Sequence, residues 1–145
     1  MLIIGYGNRD RGDDAAGILV AERLRALGIP ALICSGDSSE LIDGWSNASN
    51  VLVIDCVVTG AAAGTVHAWD ARHLPPLVQS SPSTHGFGLA EAIELSRSLG
   101  SLPARLRIYG IEGAKFAVGA SLSDQVQESV EEVAARIIQE IQGKS

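Results

Sequence analysis

A chain of 145 residues with 46% hydrophobic side chains is expected to fold as one domain spanning residues 1–145, with little room for a second. Its formal charge of −6, from 17 Asp and Glu against 11 Lys and Arg, comes with no basic run, so it offers no electrostatic footprint for nucleic acid or an anionic membrane. At this length about two-thirds of the unfolded surface is buried on folding, so no disulfide staple is needed. Cys34 and Cys56 lie inside apolar runs and read as buried thiols in a reducing, cytoplasmic setting. The opening MLIIGYGN is too short and too glycine-broken for a signal or spanning segment, and no later apolar stretch reaches about 18 residues, so the protein is expected to be soluble.

Met1 to Tyr6 is a continuous apolar run that stops at a glycine turn, as a strand buried on both faces does. From Asp13 or Asp14 the spacing turns helical, with Ala16, Val20, Leu24 and Leu27 on one face and Gly28 and Pro30 closing it. Ala31–Ser35 reads as a second strand, and Ser38–Trp45 as a short helix whose Ser-Ser-Glu opening resembles a capping signal. Val51–Val58, interrupted by Asp55, is the most buried-looking strand. Gly64–Trp69 alternates like a half-exposed edge strand, and Pro75-Pro76 bars its extension.

Leu89–Leu99 has helical spacing with a serine at position 96, and Arg105–Gly110 is a further strand. A long helix begins near Ser123, with Val126, Val130, Val133, Ile137 and Ile141 on one face and Glu128, Glu131, Glu132, Arg136 and Glu140 on a solvated one. The strand-to-helix alternation predicts a three-layer α/β sandwich with a mostly parallel sheet, because parallel crossovers need helices.

In such a sheet, ligands bind beyond the carboxyl ends of the strands. Three groups are expected there. The first is the turn Gly5–Asp14, which ends in adjacent carboxylates at a helix start. These acids serve either to cap the helix and match its dipole, or to do chemistry. The second is Asp55, expensive at the end of an apolar strand unless it is paired, bound to a cation or satisfied by backbone amides. The third is His85, ahead of a helix and flanked by glycines; His67 and His73 read as incidental. Asp14, Asp55 and His85 together offer two oxygens and a nitrogen to a divalent transition metal such as nickel, zinc or iron, with coordination positions left open for a substrate.

On these residues the chain resembles the hydrogenase maturation proteases, endopeptidases that trim the C-terminal tail of the nickel-iron hydrogenase large subunit. The resemblance runs along nearly the whole chain: Gly5-x-Gly7-Asn8, Gly12-Asp13-Asp14-Ala15-Ala16-Gly17, Gly36-Asp37 before Leu41-Ile42, Val53-Ile54-Asp55, His85 to Ala90, Tyr109 to Glu112 and Gly119 to Ser123. It implies a twisted five-stranded sheet between helices and a nickel-sensing site whose residues fall on Asp14, Asp55 and His85. It also implies that nickel arrives within the substrate, a hydrogenase large-subunit precursor, so that the free enzyme need hold none. The enzyme is expected to work as a cytoplasmic monomer. Ala15 stands where the family often has glycine, and Gly113 where proline is common.

The expected mechanism has substrate-borne nickel, gripped by Asp14, Asp55 and His85, fixing the scissile peptide for attack by water. Asp13 is either a general base or a cap of the first helix. One rival is a metal-free aspartic-type pair, in which Asp14 and Asp55 share a proton. Another is a nucleotide- or phosphate-binding Rossmann-like module. Against it, Gly5-x-Gly7 does not reach its next glycine until Gly12, and Asp13-Asp14 would repel a phosphate. The third is a non-catalytic scaffold that binds the precursor.

Overall fold

A computed structural model describes residues 1–35, 37–75 and 88–143. The elements run β1 (Leu2–Tyr6), a 3-10 turn (Gly12–Ala15), α1 (Ala16–Ala26), β2 (Leu32–Cys34), α2 (Ser38–Trp45), β3 (Asn50–Val57), β4 (Val66–Asp70), a second 3-10 turn (Ala71–His73), α3 (Leu89–Leu99), β5 (Arg105–Glu112) and α4 (Asp124–Gly143). The strands form one five-stranded sheet in the order β2-β1-β3-β5-β4. All neighbours are parallel except β4, which pairs antiparallel with β5 at one edge.

Helices cover both faces, which is why β1 and β3 are apolar without alternation. On one side α1 and α4 press Val20, Leu24, Val126, Val130 and Val133 against Ile3, Leu52 and Ile54. On the other, α2 and α3 press Leu41, Trp45 and Ile93 against Ile4, Val51 and Val53. Ser96, the polar break in the apolar stripe of α3, accepts a 2.8 Å hydrogen bond from Trp45 Nε1, so it joins α3 to α2 and satisfies a buried indole.

The structure moves several boundaries. The first helix does not start at Asp13: those residues form a 3-10 turn, and α1 begins at Ala16. The cap of α2 is Asp37, whose side chain accepts from the Ser39 amide at 3.0 Å, rather than the Ser-Ser-Glu opening. The last strand runs on to Glu112 because β3 continues to pair with it as far as Val57. The outer face of α4 is not wholly solvated, since Glu140 is paired with Arg107 at 2.6 Å, anchoring the helix end to β5.

Topology places the site. The chain leaves β1 toward β2 on one side of the sheet and leaves β3 toward β4 on the other, so the carboxyl ends of β1 and β3 form a topological switch point. Gly17 brings α1 down onto that point: a Cβ there would stand 2.2 Å from the Ile54 carbonyl oxygen and 2.5 Å from that of Tyr6. No side chain larger than hydrogen fits.

Candidate active site at the β1/β3 switch point

Asp14 and Asp55 meet at this point. The loop after β1 is closed on itself, with the Asn8 amide donating to the Asp14 carbonyl and the Asp14 amide to the Arg11 carbonyl. Asp14 is thereby carried to the start of α1, and both carboxyl groups are buried. Asp55 is the sixth of eight residues in β3 and faces the α2/α3 side, on the same face as Val53. Among the described residues, neither of its carboxyl oxygens has a hydrogen-bond partner of good geometry. Burial, reinforced by the charge of Asp14, pushes its pKa well above the usual carboxylate range, and the neighbouring Cys56 amide pulls it back slightly.

Asp13, adjacent in sequence, has the opposite environment. Its Oδ2 accepts from the amides of Ala114 at 2.8 Å and Lys115 at 2.9 Å, and its Oδ1 from the amide of Ser123 at 2.8 Å. The Ser123 hydroxyl reaches both oxygens. Burial works against the charged form, but these donors outweigh it and hold the Asp13 carboxyl below its ordinary pKa. Asp13 is therefore a strut tying the β1–α1 loop to the segment between β5 and α4. It does not cap α1, and a carboxylate this fully engaged is a poor base.

His85 lies outside the described residues, as do Gly36, Gly86 and Phe87 of the sequence motifs. Among the described residues, no group of three or more His, Cys, Asp and Glu side chains has metal-holding geometry. The thiols are not nucleophiles in waiting. Burial raises Cys34 to about 11, with Glu40 adding to the shift, and holds Cys56 higher still, with Asp55 and Asp14 contributing.

Two features escaped the sequence reading. Tyr6 closes β1 on the same face as Asp55, buried at 1% exposure, and among the described residues its hydroxyl has no hydrogen-bond partner. Burial first, then the charges of Asp55, Asp14 and Asp37, keep it a neutral phenol. The second is Glu112, at the end of β5. It accepts from the Thr59 amide and hydroxyl, both at 2.7 Å, the Gly60 amide at 3.3 Å and His67 Nε2 at 3.1 Å. His67, which reads as incidental in the sequence, is thus held by Glu112 and stacked on Trp69 with ring centroids 4.7 Å apart. The register of β1 on β3 would have exposed the first feature, and the second lies in the motif Tyr109 to Glu112, whose spacing does not reveal its partners Thr59 and His67.

Gly113 has a structural reason. Its amide donates to the Val57 carbonyl at 3.1 Å, and a Cβ at this position would stand 2.4 Å from Cys56 Sγ. A proline has no such donor.

The fold and this site define a three-layer α/β protein whose switch point holds paired, buried acids. The sequence profile of the hydrogenase maturation proteases matches residues 36–140. The hydrogenase 2 maturation protease of Escherichia coli strain K12 is 24% identical over 144 residues, covering 95% of this chain and 88% of that protein. A putative hydrogenase maturation protease of Methanocaldococcus jannaschii is 24% identical over 156 residues, covering 97% and 96%. Among solved structures, the hydrogenase maturating endopeptidase HybD from E. coli superposes with a TM-score of 0.78 at 23% identity, covering 99% of this chain and 93% of that one, a likeness of fold. The chain belongs to the hydrogenase maturation protease family, a family of peptide hydrolases.

Proposed function

We propose that this protein removes the C-terminal tail of a nickel-iron hydrogenase large-subunit precursor once nickel is in place, and that Asp14, Asp55 and His85 engage the nickel ion carried by that substrate. The observation carrying this reading is Asp55: a buried carboxyl in the sheet, beside a second acid and, among the described residues, with no hydrogen bond of good geometry to either oxygen. An isolated buried carboxylate is costly, and a cation is the guest that relieves both the desolvation and the repulsion from Asp14. Imidazole and carboxylate together suit nickel. His85 precedes Gly88, the N-cap of α3, by three residues, and α3 packs on the sheet face that carries Asp55.

The precursor supplies the ion, so recognition and substrate positioning are one event. Held by these side chains, the nickel-bearing segment presents the adjoining peptide bond to water. Fixed orientation and the charge of the ion, as the oxyanion develops, lower the barrier. The working unit is residues 1–145, acting as a monomer in the cytoplasm on the precursor.

The test is to mix the purified protein with nickel-loaded and nickel-free precursor and weigh the products by mass spectrometry. The expected result is cleavage of the loaded form alone, abolished by Asp55→Ala and by His85→Ala. The raised pKa of Asp55 beside Asp14 also favours a second reading, a metal-free pair sharing one proton. Equal cleavage of both precursor forms, with His85→Ala close to wild type, would establish that pair instead.

A further inference from the structure

Hydrolysis of a peptide moves a proton twice, off the attacking water and onto the departing amine, and some group must carry it. Asp13 is fully engaged as a strut, and the two thiols are buried. The Glu112–His67 pair has the form such a carrier needs. His67 Nε2 lies 3.1 Å from Oε1 of the buried Glu112. Burial opposes the charge of Glu112, but its donors, Thr59 above all, outweigh it and hold the carboxyl below its ordinary pKa. An ionised carboxylate only accepts, so the single hydrogen of the neutral ring sits on Nε2 and Nδ1 is left as the acceptor. Among the described residues Nδ1 has no hydrogen-bond partner, and the side chain keeps 20% of its surface open. Stacking on Trp69, with centroids 4.7 Å apart, fixes the plane of the ring.

Sheet register ties this imidazole to the switch point. Asp55 is level with Gly110 on β5, and Gly110 is level with His67 on β4. Val53 and Trp69, each two residues from its neighbour in that row, pack in the α2/α3 layer, so alternation puts Asp55 and His67 on the same face. Two strand spacings, about 10 Å, separate them, too wide for a direct hydrogen bond and wide enough to admit a substrate segment. Gly110 contributes no side chain to the interval. A Cβ there would stand 2.7 Å from the Trp69 ring and 3.1 Å from the Val57 methyl groups, so apolar atoms floor the gap between carboxyl and imidazole.

We infer that His67 is a further catalytic residue of tail removal: oriented by Glu112, and in the same row and on the same face as Asp55, its Nδ1 takes the proton of the attacking water and returns it to the departing amine. The inference rests on the proposed cleavage of the precursor's tail. As the water oxygen bonds to the scissile carbonyl carbon, one water proton passes to Nδ1, and Glu112 stabilises the imidazolium from behind. The same proton then moves to the amide nitrogen as the carbon–nitrogen bond breaks. The products are a carboxyl group at the new end of the subunit and a free amine on the tail, and the ring is neutral again.

The experiment compares wild type, His67→Gln and His67→Ala on nickel-loaded precursor, with kcat, KM and the thermal midpoint measured and with imidazole added or withheld. His67→Gln retains an amide that can still donate to Glu112 but no group that can carry a proton. The expected result is a kcat lowered about 100-fold or more in both variants, with KM unchanged. Added imidazole restores cleavage to His67→Ala, which has room for it, and not to His67→Gln. A His67→Gln protein with wild-type kcat overturns the inference. So does a His67→Ala protein that imidazole does not rescue, which would make the ring a support for Trp69 and Glu112. Failure of the parent reading looks different: if wild type leaves loaded precursor uncut, tail removal fails and His67 with it, whereas if wild type and His67→Gln cut it equally, the His67 inference alone fails.

Discussion

Glu112 holds the connection between β3 and β4 in place, and removing it should cost stability by an amount the structure fixes. Its Oε2 takes the amides of Thr59 and Gly60, and its Oε1 takes the Thr59 hydroxyl and His67 Nε2. Hydrogen bonds to a charged group contribute about 1.5–3 kcal/mol each when buried. Thr59 and His67 are only half-buried and Gly60 is exposed, so water replaces part of what is lost. The short Thr59 amide bond counts nearly in full and the others fractionally, giving about 2–4 kcal/mol for Glu112→Ala. Glu112→Gln should cost about 1–2 kcal/mol, because its carboxamide oxygen can still take the two amides while its NH2 faces a hydroxyl and an imidazole that can both turn to accept.

The pH dependence has a definite sign. The donors, above all Thr59, hold the folded pKa of Glu112 below its ordinary value despite the opposing burial. Its stabilisation is therefore complete above the unfolded pKa of about 4.3 and is lost as pH falls through the folded value. Urea unfolding followed by circular dichroism from pH 7 down to pH 3 should show the gap between wild type and Glu112→Gln narrowing with acid. A Glu112→Ala cost under about 1 kcal/mol at pH 7, or a gap that stays constant with pH, would refute the reasoning.

Asp13→Asn keeps the shape but turns an NH2 toward backbone donors whichever way the amide lies, so a loss of about 2–4 kcal/mol is expected in the same unfolding assay. Asp55→Asn should do the reverse. Because the folded pKa of Asp55 is raised by burial and by Asp14, wild-type stability falls as pH rises above the unfolded value of about 3.9, at up to about 1.4 kcal/mol per unit until the folded pKa is passed. The variant, free of this penalty, should gain on wild type as pH rises above the unfolded value of about 3.9, measured by thermal unfolding at each pH. Gly113→Pro should lower the thermal midpoint, since it removes the donor to Val57 and crowds Cys56. A midpoint within error of wild type would show that this turn can rearrange at no cost.

Much of the fold was legible because its signals are local and periodic. The apolar runs of β1 and β3, without polar alternation, announce strands covered on both faces, and the three- and four-residue stepping from Val126 to Ile137 announces α4. The candidate site was half legible for the same reason. Asp55 is conspicuous because a charge in an apolar run violates the pattern, whereas Asp13 and Asp14 look alike in sequence and are separated by partners that come from more than 100 positions away. Tyr6 and Glu112 were missed because, although both lie inside quoted motifs, the groups that give them their environment come from other strands and loops.

The sequence by itself therefore determined the layers and the strands buried between helices, since burial periodicity is written residue by residue along the chain. It also determined that an acid interrupts the central strand. The sequence already set Asp14 with Asp55, but the tertiary structure alone decided that Asp13 is a strut, neither base nor cap, and it alone put a phenol level with that carboxyl. The physical reason is that hydrogen-bond satisfaction and desolvation belong to pairs of groups brought together through strand register and loop closure. A residue's chemistry here is set by neighbours that the linear order does not name.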